Sequence, residues 1–163
     1  SLYNNSSKCV YSYSGATTSL KNFVCTKDAA TTSIYNKGTM TIESSNLNKI
    51  TNESGNIEIK SGTYNGTITS EGGTLLVHNG TFSNSNEVII GKGANITLEK
   101  GSFISSNAAS ISLQNGSSNL TIGIKGDDDG EINPCHQIQC LIAVEDAVFD
   151  WILCYRRSCL RSR

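Results

Sequence analysis

The side chains that could carry acid–base chemistry in this chain are its carboxylates, two histidines and four arginines. Glycoside hydrolysis needs two carboxylates held at a fixed separation. No arginine precedes Arg156, and no aspartate lies between Asp28 and Asp127. Glu43 and Glu99 would lie three rungs apart in a fold of stacked repeats, roughly 14 Å, which is too far for a pair. We therefore expect no catalytic residues and a protein that is not an enzyme.

His78 could serve as a general base or as a metal ligand. It falls in an outward position beside Lys60 and Glu99 when the repeats are aligned, so a surface histidine that pairs with its neighbours is the better interpretation. Residues 127–130, Asp-Asp-Asp-Gly, could bind a hard cation through oxygen ligands. They lack the distal glutamate of an EF-hand loop, so we interpret them as a solvated turn and predict no cofactor.

Four cysteines and a histidine lie together near the end of the sequence: Cys135, His136, Cys140, Cys154 and Cys159. The spacing is Cys-x4-Cys, thirteen residues and Cys-x4-Cys, which matches no standard zinc pattern. Free thiols or disulfides explain these cysteines better, so we predict no metal site.

Cys9 and Cys25 lie sixteen residues apart. They could form a disulfide in an oxidising compartment, where it would contribute roughly 3 kcal/mol. They could equally stay reduced and pack as small apolar side chains, and the sequence leaves both alternatives open. Asn-x-Ser/Thr sequons matter only in a eukaryotic source. They begin at Asn4, Asn5, Asn52, Asn65, Asn79, Asn95, Asn115 and Asn119.

A repeated element must position these side chains, because five segments of the chain align with one another. Each segment alternates apolar, polar, apolar, which is typical of a strand with one buried face. Most continue into a Ser-Gly, Asn-Gly or Lys-Gly corner, where glycine permits a positive φ. The first apolar residues are Met40, Ile57, Leu75, Ile96 and Ile111, at spacings of 17, 18, 21 and 15 residues.

Stacking the segments places similar side chains in columns. A second inward column is Ile42, Ile59, Val77, Leu98 and Leu113, and a third is Leu47, Tyr64, Phe82, Phe103 and Ser118. An outward column of compatible charges is Glu43, Lys60, His78, Glu99 and Gln114. One strand and corner cannot bury an apolar face alone. The pattern therefore predicts an all-β fold, a parallel β-helix (β-solenoid) of about six to seven coils.

The chain divides into two parts. Residues 1–134 form the predicted solenoid domain, with clear coils over 34–124. Residues 135–163 hold all four arginines, the only tryptophan and four of the six cysteines. Apolar residues near helical spacing over 137–156 predict a short C-terminal amphipathic helix. Either this segment caps the solenoid end, or it is a non-native ending that packs poorly.

Composition argues against several classes of partner. The net charge is −1 and the nine lysines form no basic stripe, so we expect no nucleic-acid binding. No run of about 18 apolar residues occurs, so we expect no membrane-spanning helix. Because the sequence starts at Ser1 and shows no signal peptide, we expect a mature form or a fragment. The oligomeric state is left open.

The repeats resemble those of bacterial surface and adhesin-like proteins with pectin-lyase-like parallel β-helices, especially from Gram-positive species. The resemblance covers about residues 33–134. Its motifs are residues 35–42 (Tyr-Asn-Lys-Gly-Thr-Met-Thr-Ile), 60–64 (Lys-Ser-Gly-Thr-Tyr), 78–82 (His-Asn-Gly-Thr-Phe), and 120–123 (Leu-Thr-Ile-Gly) followed by 127–130. It implies an extracellular or cell-surface location and contact with glycans or with host or cell-surface proteins, without an assigned reaction.

The function we predict is a secreted, non-catalytic repeat domain of structural or adhesin-like type. Two alternatives stay open. The chain could be a fragment of a carbohydrate-active β-helix, similar to polysaccharide lyases or hydrolases, or a scaffold for protein contact.

Overall fold

A computed structural model describes residues 8–25, 32–114 and 118–122, together with the backbone of 138–144, 151–155 and 158–161. In these ranges the chain forms twenty β-strands and no helix. The strands are β1 Val10–Ser12, β2 Thr17–Lys21, β3 Val24–Cys25, β4 Thr32–Asn36, β5 Thr39–Glu43, β6 Ser45–Leu47, β7 Lys49–Asn52, β8 Asn56–Ile59, β9 Gly62–Tyr64, β10 Ile68–Ser70, β11 Thr74–Val77, β12 Thr81–Asn84, β13 Ile89–Gly91, β14 Asn95–Leu98, β15 Gly101–Ser105, β16 Ile111–Leu113, β17 Asn119–Ile122, β18 Ile138–Val144, β19 Trp151–Tyr155 and β20 Ser158–Arg161.

Strands β1 to β17 wind into three parallel sheets. Sheet A contains β1, β4, β7, β10, β13 and β16, sheet B contains β2, β5, β8, β11, β14 and β17, and sheet C contains β3, β6, β9, β12 and β15. Each strand pairs in parallel with its equivalent one turn further on. The described residues complete about five turns and begin a sixth, slightly fewer than the predicted six to seven coils. The parallel β-solenoid fold is confirmed.

The inner side of sheet B confirms the first two predicted columns over four turns. The first column is Met40, Ile57, Leu75 and Ile96. Its predicted fifth member was wrong, because Ile111 lies in sheet A opposite Ile89 and Leu120 pairs with Ile96 instead. Leu113 is displaced in the same way, and Ile122 takes its place. The error arose because residues 111–113 have the same apolar–polar–apolar pattern as a strand of sheet B and lie within an unusually long turn.

Sheet A contributes a buried ladder that the sequence analysis missed. Its members are Ile34, Ile50, Ile68, Ile89 and Ile111, each fully buried. Next to it runs a polar ladder that is also buried: Asn36 donates to Asn52 Oδ1 at 2.9 Å, and Asn52 donates to Ser70 Oγ at 3.1 Å. Asn52 also donates to the carbonyl of Gly55 at 2.8 Å. These bonds satisfy buried polar groups that would otherwise destabilise the fold.

Sheet C confirms the third column from Leu47 to Phe103. The rings of Tyr64, Phe82 and Phe103 stack with centroids 4.6 and 4.7 Å apart. Ser118 was wrongly placed in this column: it precedes β17, and its hydroxyl accepts a hydrogen bond from Gly93 N at 2.7 Å.

The first turn is closed by a disulfide between Cys9 and Cys25, whose Cα atoms are 6.5 Å apart. It joins the residue before β1 to the last residue of β3. The structure thus selects the bridged alternative over the reduced one.

The predicted helix over 137–156 is wrong for the residues whose backbone is described, because 138–144 and 151–155 are strands β18 and β19. Strand β18 pairs in parallel with both β15 and β16. β19 and β20 then add antiparallel pairings. An open sheet edge offers donors and acceptors that a strand can pair and a helix cannot, which explains the extended backbone.

Candidate functional site

Within the ranges given above, two places on the lateral surface gather groups that could do chemistry. On the outer side of sheet B, His78 lies between two carboxylates from neighbouring turns. Its Nε2 is 2.9 Å from Glu58 Oε1, and its Nδ1 is 2.6 Å from Glu99 Oε2. The predicted pairing with Glu99 is therefore confirmed. On the preceding turn, His78 contacts Glu58 rather than the predicted neighbour Lys60. Glu58 was not predicted as a partner.

The electrostatics of this cluster follow from the two hydrogen bonds. The bond to Glu99, and then the bond to Glu58, raise the pKa of His78 above its ordinary value although partial burial opposes the shift. The bond from His78 lowers the pKa of Glu58. The cluster is thus a histidine between two carboxylates that favour its protonated form, partly exposed on the outer face of the sheet.

This arrangement can bind a proton but is poorly built to cleave a sugar. The imidazole fills the gap between the two carboxylates, where a substrate and a water would have to sit. Glu43, the other predicted acidic group of this face, lies apart from the cluster, and its carboxylate binds Lys21 Nζ at 2.9 Å.

The second place is a groove on the outer side of sheet A, with a volume of about 520 Å³. Its lining residues are Lys49, Gly66, Thr67, Thr69, Asn84, Ser85, Asn86, Ile90 and Lys92. The floor is formed by outward residues of β7, β10 and β13, and one wall by the connection after β12. That connection is three residues longer than the equivalent connection one turn earlier, since Phe82 and Ile89 correspond to Tyr64 and Ile68. The extra residues raise the wall.

Hydrogen bonds hold this wall in place. Thr67 Oγ1 donates to the carbonyl of Glu87 at 2.8 Å, and Asn84 Nδ2 donates to Thr67 Oγ1 at 2.8 Å. Asn84 Nδ2 also donates to the carbonyl of Glu87 at 3.0 Å. Within the described ranges, the side chains of Ser85 and Asn86 make no hydrogen bond with the protein. The hydrogen bonds of Thr67 and Asn84 therefore hold the wall, while the side chains of Ser85 and Asn86 are free to bind a ligand in the groove.

The same sheet face carries a cluster of tyrosines two turns away. One outward column runs through Tyr11, Tyr35, Thr51, Thr69, Ile90 and Ser112. The rings of Tyr11 and Tyr35 stack with centroids 5.0 Å apart, and the Tyr13 ring lies 4.5 Å from Tyr11. Lys8 Nζ sits 4.3 Å from the Tyr35 centroid. The groove and the ring cluster share one continuous surface.

Charge is compensated at the tyrosine end of this face. Tyr35 Oη donates to Glu53 Oε2 at 2.5 Å, and Lys37 Nζ lies 2.7 Å from the same oxygen. Hydrogen bonding to Glu53 raises the pKa of Tyr35 to about 12. The bonds from Lys37 and Tyr35 lower the pKa of Glu53. These residues form a fixed support for the rings.

The remaining predicted site residues fall elsewhere. Residues 127–130, Cys135 and His136 lie outside the described residues. The backbones of Cys140, Cys154 and Cys159 are described, and Cys140 lies opposite Cys154, which lies opposite Cys159. In the part of the chain that the structure covers, no group of three potential ligands is arranged to hold a metal, and no helix there could cross a membrane. Asn52, the second residue of the polar ladder, is fully buried, so its sequon is inaccessible in the folded state.

Comparison with protein-family models, with curated proteins and with solved structures finds no match for this chain.

Proposed function

We propose that the chain is a non-catalytic extracellular solenoid that binds glycans on the outer face of sheet A, as a surface or adhesin-like protein would. The observation that carries the proposal is the groove. Its volume of about 520 Å³ suits a small ligand segment. Its lining combines hydroxyls and amides, which can bond sugar hydroxyls, with Ile90, which can contact an apolar sugar face.

The tyrosine cluster extends the surface beyond the groove. Tyr13 is 63% exposed, and exposed rings give contact area at low conformational cost. A chain lying along the solenoid axis would meet these rings at one end and the groove at the other.

The proposed location rests on the disulfide and on the resemblance to bacterial surface proteins. The bond between Cys9 and Cys25 closes the first turn, and structural disulfides persist mainly in oxidising compartments. A secreted or cell-surface protein meets that condition.

A pair of tryptophan substitutions tests the groove. Thr69→Trp fills it, and we expect binding in a glycan array or in affinity electrophoresis to fall at least tenfold, since the free volume disappears. The matched control is Thr97→Trp, a mid-strand outward threonine on sheet B, which should bind normally. Equal losses for both variants, or no loss for Thr69→Trp, would contradict the proposed surface.

Among the described residues, the alternative of a carbohydrate-active enzyme is favoured only by the cluster of Glu58, His78 and Glu99. We expect no cleavage of polygalacturonate or alginate, with or without Ca²⁺, because the imidazole blocks the space between the carboxylates. Release of unsaturated or reducing ends that Glu58→Gln or Glu99→Gln abolishes would establish the enzyme instead.

A further inference from the structure

The groove has an uncompensated positive charge. Lys21 and Lys37 each bind a glutamate within 3 Å. Lys49 and Lys92, which line the groove, have no carboxylate within 4 Å among the described residues. Glu71 occupies the backbone position one turn before Lys92, but it does not reach the lysine and does not line the groove.

We propose that the groove selects acidic polysaccharides, whose carboxylate or sulfate groups bind Lys49 and Lys92. This inference rests on the proposed function and narrows its ligand class. An ammonium that lacks a protein partner can form charge-assisted hydrogen bonds with an anionic ligand at no loss of an internal ion pair. Thr69, Ser85 and Asn86 remain available for the sugar hydroxyls between the two charges.

The positions of the lysines favour a chain over a single small anion. Lys49 and Lys92 lie two turns apart and are offset by four residues along the strand direction. Rung spacing and strand rise place their Cα atoms roughly 16 Å apart. Two cations at that separation suit a polymer with several acidic groups, each lysine binding a different sugar residue.

The sheet itself disfavours an acidic peptide as the occupant. Extended peptides commonly bind by adding a strand to an open sheet edge. β7, β10 and β13 are each paired on both sides, so no backbone donor or acceptor is left for a peptide to use. A glycan needs no such edge, because side chains recognise its hydroxyls and acidic groups.

Binding of four polymers to the full chain tests the inference: polygalacturonate for carboxylates, dextran sulfate for sulfates, neutral dextran, and poly-glutamate as an acidic peptide. We expect one or both acidic glycans to bind more tightly than dextran and poly-glutamate, with an affinity that falls as salt rises. Lys49→Gln with Lys92→Gln should weaken that binding by about tenfold or more. Lys49→Arg with Lys92→Arg should retain most of it.

Two further variants separate a site from general charge. Lys60→Gln removes the same charge outside the groove and should leave binding unchanged. Glu71→Gln removes the carboxylate one turn from Lys92, which repels an anionic ligand there, and should strengthen acidic-glycan binding severalfold. An equal loss from Lys60→Gln, or binding of poly-glutamate as tight as that of the glycans, overturns the inference. If dextran binds as well as the acidic glycans, the acidic preference is wrong but glycan binding stands. If no glycan binds, the proposed function fails as well.

Discussion

At the residue scale, the polar side chains of this solenoid divide into those that hold the fold and those that are free to bind. Inside the core, hydrogen bonds join the side chains of Asn36, Asn52 and Ser70 to one another and to nearby carbonyls. Thr69 and Asn86 lie in the groove without a described protein partner. Side-chain type alone does not separate the two groups, because burial and neighbours decide the role.

His78 gives a prediction at this scale. A group whose pKa is raised on folding stabilises the fold below its unfolded pKa, here 6.5, and that contribution is lost as pH rises through the folded value. Glu58, whose pKa is lowered, sets the opposite limit: its contribution is present above 4.5 and is lost as pH falls through its folded value. The cluster should therefore stabilise the protein most between about pH 4.5 and pH 6.5, the unfolded pKa values of Glu58 and His78.

We expect His78→Gln to lower the free energy of unfolding by less than about 1 kcal/mol near pH 5.5, because the pair is half exposed. The difference from the parent protein should shrink toward pH 9. Urea titrations at the two pH values measure it. Lys60→Gln is the control, since the charge of Lys60 also lowers the pKa of Glu58 while this substitution leaves the imidazole of His78 in place. A difference for His78→Gln that is the same at both pH values would show that the charged imidazole contributes nothing.

At the element scale, three of the corners between sheets B and C place a glycine two residues before a stacked ring: Gly62, Gly80 and Gly101. Gly80 has φ of +157°, and a Cβ at this position would lie 2.7 Å from Phe82 Cε2. The ring cannot retreat, because Tyr64 and Phe82 are stacked at 4.6 Å. Gly62 precedes Tyr64 in the same way, with φ of +145°. The corner and the aromatic ladder therefore constrain each other.

Gly80→Ala should destabilise the protein by about 1–3 kcal/mol, because it adds backbone strain and a clash with the buried ring. Thr81→Ala, at the next, exposed position, should change stability little. Thermal melts of both variants give the comparison. Similar melting temperatures would mean that the corner adapts and that the ladder is less rigid than the structure indicates.

The sequence predicted the strands in which apolar and polar residues alternate most clearly, and it missed the strands without this alternation. Sheet B and the aromatic column were predicted correctly over four turns, because paired apolar residues and Gly-x-aromatic corners repeat there. Sheet A was missed, because β4, β7 and β10 each bury one isoleucine beside an asparagine or a serine, so their apolar alternation is weak. Ile111 was misassigned because unequal turn lengths allow two registers to fit the same alternation.

The groove could not have been predicted from the same pattern. Lys49 and Lys92 belong to different turns. The sequence does not reveal that they line one groove with the wall, because that follows from the register of sheet A. One usable signal was present: the spacing rises from 18 residues before Leu75 to 21 after it, which marks an insertion in that turn. Insertions at solenoid corners build lateral walls, so the longer repeat marked the turn where the groove lies.

At the scale of the whole molecule, each turn of a solenoid contacts only its two neighbours, so an end turn presents an open sheet edge and apolar residues unless another element covers them. The disulfide between Cys9 and Cys25 ties the first turn together. At the other end, β18 pairs with both β15 and β16 and so covers edges of sheets A and C. The groove lies between these ends, spanning β7 to β13, where both neighbouring turns are present.

Deleting residues 135–163 tests the closure at the second end. The deletion leaves the backbone of β15 and β16 unpaired on one side, next to the apolar residues that these strands bury, including Phe103 and Ile111. An exposed sheet edge promotes association between chains. We therefore expect a lower melting temperature and concentration-dependent aggregation, measured by thermal melts and light scattering. A shorter deletion of 156–163, which keeps β18 and its pairing with β19, should have a smaller effect. If the longer deletion leaves melting temperature and solubility unchanged or improves them, β18 does not close the solenoid, and the segment is an ending that the fold does not need.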